Sequence, residues 1–98
     1  MNLVDFQNKI SSDVYDDSLF SKSITLCNLL NGNFRDEEII SVDVSKEDEM
    51  FHVKTLNEYS ADKLVAYDGN IVAGAYEPLY KLSISRESGS LKIKLINF

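Results

Sequence analysis

At about residue 39 the spacing of apolar residues changes from a period near 3.6 to a period of 2, and this switch constrains the fold more than any other feature of the chain. Before it, Leu3, Phe6 and Ile10 recur at helical intervals and Asn2 is placed to cap the first turn, which predicts a helix over residues 2–11. Ser11-Ser12-Asp13 has turn chemistry. Asp16 or Asp17 then caps a second predicted helix, whose apolar arc holds Leu19, Phe20, Ile24, Cys27 and Leu30, with Leu26 at its margin. Ile24-Thr25-Leu26-Cys27 would also suit a strand. Asn31-Gly32 ends the helix, with Gly32 expected in the left-handed conformation just past it.

Beyond the switch, Ile40, Val42 and Val44 alternate with Ser41, Asp43 and Ser45, the pattern of a strand with one dry face. Lys46–Glu49 forms a turn, and Phe51 and Val53 lie on a return strand over residues 50–56. A longer connection leads to a predicted strand at Leu64-Val65-Ala66-Tyr67. Asp68-Gly69-Asn70 reads as a hairpin turn into a strand over residues 71–76, where Gly74 suits a bulge and Glu77-Pro78 ends the pairing. The clearest hairpin is the last, with Tyr80, Leu82 and Ile84 facing Leu91, Ile93 and Leu95 across a turn at residues 86–89. Together these segments predict one α+β domain over residues 1–98, with two N-terminal helices packed on an antiparallel meander of five or six strands. Phe6, Ile24, Cys27, Val42, Val53, Leu82, Ile84, Ile93 and Leu95 are the expected core. Lys54, Lys81, Lys92 and Lys94 fall near Asp43 on the solvated sheet face.

A chain of 98 residues that is 44% apolar can bury one core without metal or disulfide staples. The single Cys27 forms no internal bridge, no basic-then-apolar leader opens the chain, and no apolar run approaches a membrane span; these features predict a cytoplasmic protein with no membrane association. The net charge of -6 is uneven: residues 1–62 hold thirteen acids against five bases, and residues 63–98 hold three against five. Asp13, Asp16 and Asp17, then Asp36-Glu37-Glu38, then Glu47-Asp48-Glu49 form three acidic clusters. Such a surface repels phosphate backbones, which disfavours direct nucleic-acid binding, and it favours a basic protein partner.

Catalytic chemistry is sparse. His52, the only histidine, falls on the wet side of its strand, and Cys27 points into an apolar arc, so a nucleophilic pair is not expected. Zinc would need more His or Cys ligands, no EF-hand spacing is present, and the four glycines form no phosphate-cradling loop. The chain is therefore read as a non-enzyme that uses no cofactor or metal. Tyr15 is the expected exposed aromatic, whereas Phe34 and Tyr59 are read as core or boundary residues. Tyr15, Asp16, Asp17, Asp36, Glu37 and Glu38 are the candidate partner-binding residues, the acids converging on the second helix. Size, charge and chemistry resemble those of immunity-type inhibitors, which occlude the basic cleft of a nuclease-like toxin domain. An acidic secretion chaperone and a phage protein that mimics nucleic acid are the alternatives, and the expected oligomeric state is a monomer or weak dimer.

Overall fold

The computed structural model describes residues 5, 6, 8, 17–69, 71–72, 79–87 and 90–97. Helix α1 spans Asp17–Asn33, and a 3-10 turn at Asp36–Glu38 leads into strand β1, Ile39–Ser45. Strand β2 (Met50–Thr55), helix α2 (Glu58–Val65) and strands β3 (Ile71–Val72), β4 (Tyr80–Glu87) and β5 (Ser90–Asn97) follow. The domain is α+β. Four strands of six to eight residues carry an antiparallel sheet, and the two-residue β3 extends one edge.

The strand order β1-β2-β5-β4-β3 corrects the expected meander. A meander would place β2 beside the next strand in sequence, whereas β2 pairs with β5 and the C-terminal strand takes the centre. Helix α2 is the physical reason. Leu64-Val65-Ala66-Tyr67, expected as a strand, instead completes this helix and the turn after it. The Asn57 side chain accepts from the Ser60 N–H at 2.9 Å, capping the helix, and Ser60, Ala61 and Leu64 bury its inner arc. A helix packed on the sheet face lets the chain cross to the far edge before pairing again.

Asp68-Gly69 accordingly does not join two paired strands. Gly69 has a positive φ of 81°, as its sequence context required, but its N–H donates to Leu82 O at 2.8 Å. The Asp68 carboxylate accepts from the Ile84 N–H at the same distance, so the turn clamps the end of α2 onto β4. The strand expected over residues 71–76 is described only at Ile71 and Val72, which pair with β4. Gly74, Glu77 and Pro78 lie outside the described residues.

Eight of the nine expected core residues are buried, and the ninth, Ile24, is half-buried. The arc of α1 is rotated from its expected position. Leu19, Leu26, Cys27 and Leu30 are buried, together with Lys22, Ser23 and Thr25, while Phe20 is 39% exposed. Ser23 Oγ and Thr25 Oγ1 donate to the carbonyls of Leu19 and Ser21, one turn back, which removes most of the cost of burying hydroxyls. The helix also runs through Gly32 to Asn33, without the left-handed ending expected there. In β1, a register shift between Ile39 and Ser41 makes Ile39 and Val42 the inward residues and leaves Ile40 41% exposed. Of the helix expected over residues 2–11, Asp5, Phe6 and Asn8 are described and helical; Phe6 meets Phe51 edge to face.

Candidate protein-docking site

Helix α2 and the 3-10 turn bring charge and exposed apolar surface together. The turn places Asp36, Glu37 and Glu38 in succession between α1 and the edge strand β1. The Glu38 carboxylate accepts from the Arg35 N–H at 3.0 Å and from Lys63 Nζ of α2 at 3.1 Å. The backbone hydrogen bond chiefly, and then Lys63, hold its carboxyl below the usual range for a glutamate. Lys63 Nζ also lies 5.3 Å from the centroid of the buried Phe34 ring and 5.8 Å from that of Tyr59. One ammonium thus ties the acidic turn to α2.

Tyr59 is 71% exposed and Leu56, just before the helix, is 56% exposed. For Tyr59 this overturns the expectation of a core or boundary residue, because Ser60, Ala61 and Leu64 take the inward arc and leave Glu58 and Tyr59 outside. The backbone N–H of Leu56 donates to Glu38 O at 2.9 Å, which sets the two exposed apolar side chains next to the acidic turn. A cleft of about 510 Å³ runs between α1 and α2, lined by Asn31, Asn33, Phe34, Arg35, Glu37, Glu38 and Lys63 among others. A second, of about 360 Å³, lies on another side of α2, between Asn57, Glu58, Ala61, Arg86 and Leu91. Asp36 and Glu37 are exposed; Glu37 shares a 3.4 Å ion pair with Arg35, itself exposed and therefore weak.

The candidate residues named from sequence do not all meet here. Asp36, Glu37 and Glu38 are neighbours, and Glu38 is an internal tie more than a free contact. Asp17 opens α1 at its far end, about 25 Å from the turn for a helix of 17 residues at ~1.5 Å per residue, so its backbone does not converge with Asp36–Glu38. Tyr15 and Asp16 lie outside the described residues. Other carboxylates are also paired: Glu49 holds the buried Lys22 at 3.4 Å, and Asp62 meets Arg86.

Cys27 and His52 stand on opposite sides of the sheet. Cys27 is buried under α1, and burial pushes its thiol pKa up to about 12, whereas His52 pairs with Asp43 and Lys92 on the outer face. Among the described residues no group of three or more His, Cys, Asp or Glu side chains is arranged to hold a metal, and no helix is long and apolar enough to cross a membrane. No protein-family model, curated protein or solved structure matches the chain.

Proposed function

We propose that this chain is a small binding protein of the immunity type, which docks its α2 side on a basic, nuclease-like toxin domain and occludes the toxin's substrate cleft. The observation that carries this is the exposure of Tyr59 and Leu56 on a segment tied to the Asp36–Glu38 turn by the Leu56 N–H and by Lys63. A rigid aromatic with a polar tip makes a strong anchor at protein interfaces, and carboxylates around it select Arg and Lys on the partner and speed encounter. The proposed site keeps Asp36 and Glu37 from the expected set flanking α1 and differs in the rest: Tyr59 takes the role assigned to Tyr15, and Glu58 joins the rim.

The test uses the product of the adjacent open reading frame as the probe, in a nuclease assay and in binding kinetics at low and high salt. Stoichiometric inhibition is expected. Tyr59→Ala should weaken it by about tenfold or more, the usual range for a hot-spot truncation. Asp36→Asn with Glu37→Gln should slow association and flatten its salt dependence without changing the circular dichroism spectrum. Inhibition that is unchanged in both variants excludes this face. A stable dimer that binds only an extended segment of the neighbouring product would point to a secretion chaperone instead.

A further inference from the structure

The sheet face turned away from the helices carries a row of four lysines, three of which meet no carboxylate among the described residues. Directly paired residues share a face, so the register aligns Lys54 on β2, Lys92 and Lys94 on β5 and Lys81 on β4. Lys81 pairs with Ile96, and Lys54 follows Val53, which pairs with Leu91, so it comes level with Ser90. Each of four successive outward levels of the central strand therefore presents one lysine, at intervals of about 6.7 Å for two residues of strand. Lys92 is bonded to Glu87 at 3.0 Å. Lys54, Lys81 and Lys94 have no carboxylate partner among the described residues, whereas Lys22, Arg35, Lys63 and Arg86 each have one.

We infer that this row docks an extended acidic segment of a partner protein, with carboxylates on alternate residues lying along β5. The inference stands on the open face alone and is independent of the α2 site. The repeat matches along the strand: alternate side chains of an extended polypeptide recur at the same ~6.7 Å interval as the lysine-bearing levels of β5, so its carboxylates meet Lys54, Lys94 and Lys81 and compete with Glu87 for Lys92. A single-stranded nucleic acid fits less well. Its binding relies on aromatic side chains for base stacking, and the described outward residues of this face include no Phe, Tyr or Trp. An anionic bilayer is served by a broad basic patch or an inserted amphipathic element, and this row is one lysine wide. Ser83 and Ser85 beside the row supply hydroxyls for the backbone of the segment.

The probe is a fluorescein-labelled octapeptide of alternating Glu and Ser, titrated with the full chain at low ionic strength and followed by anisotropy. Saturable binding is expected, together with its loss in high salt and a fall of about tenfold or more when Lys54, Lys81, Lys92 and Lys94 are all changed to Gln, summing four exposed ion pairs. Lys63→Gln should leave it unchanged. Should the quadruple variant fail to fold, the single variants Lys81→Gln and Lys94→Gln provide the same comparison at smaller amplitude. Absence of binding at low salt, equal binding by the lysine variants, or tighter binding of oligothymidylate or of phosphatidylserine vesicles than of the peptide would each overturn the assignment.

Discussion

The two sides of the sheet handle charge in opposite ways. On the helical side Lys22, Arg35, Lys63 and Arg86 each meet a carboxylate, and three of these pairs join elements distant in sequence: α1 to the β1–β2 turn, α2 to the 3-10 turn, and β4 to α2. On the open side three of the four lysines meet none among the described residues. Residues 1–62, which carry the excess of acid, therefore commit several carboxylates to internal ties, while a basic stripe persists on a chain of net charge -6. Which surface attracts which partner depends on the charges left over after folding, not on the tally along the chain.

The largest predicted effect separates the faces by burial. Leu82 lies in the inner core against Leu95, and its neighbour Ser83 points outward beside Lys94. Leu82→Ala should cost about 2–5 kcal/mol in urea unfolding, and Ser83→Ala should change stability by less than about 0.5 kcal/mol. Similar costs at the two positions would mean that the outer face is not a solvent face.

A smaller effect tests the pairing itself. Lys22 is buried on α1, and its ammonium reaches Glu49, which is partly exposed at the β1–β2 turn. Lys22→Ala removes a packed aliphatic stem and strands the carboxylate, for a cost of about 1–2 kcal/mol, below the range for a fully buried pair because Glu49 retains water contact. Lys94→Ala should stay within about 0.5 kcal/mol. Equal and small losses would erase the distinction between committed and free lysines.

The same contrast explains what could be read from the sequence. The last hairpin and the α1 segment were legible because long periodic runs leave little choice of period. Helix α2 was not, since eight residues with three inward positions resemble a short apolar strand preceded by a loop; Asn57 followed by Ser60, with Ala61 and Leu64 three apart, was the available signal. Missing α2 also hid the exposure of Tyr59. The lysine row needed the register between β2 and β5, a pairing across roughly forty residues that turn chemistry does not set.

The smallest expected effect asks which contact holds the acidic turn. Glu38's carboxyl is lowered from its ordinary value of 4.5, first by the Arg35 N–H and then by Lys63. Because the folded value lies below the unfolded one, the unfolded chain binds more protons between them, and stability rises with pH through that window. The contribution is complete above the ordinary value and is lost as pH falls through the lowered one. Glu38→Gln should therefore reduce the unfolding midpoint at neutral pH and converge with the wild type below that window. If the backbone hydrogen bond dominates, Lys63→Gln should retain most of the pH dependence, since Arg35 still caps the turn through its N–H. A Lys63→Gln profile indistinguishable from that of Glu38→Gln would make the tie to α2 the decisive contact, and the acidic turn would then be positioned by the helix that carries Tyr59.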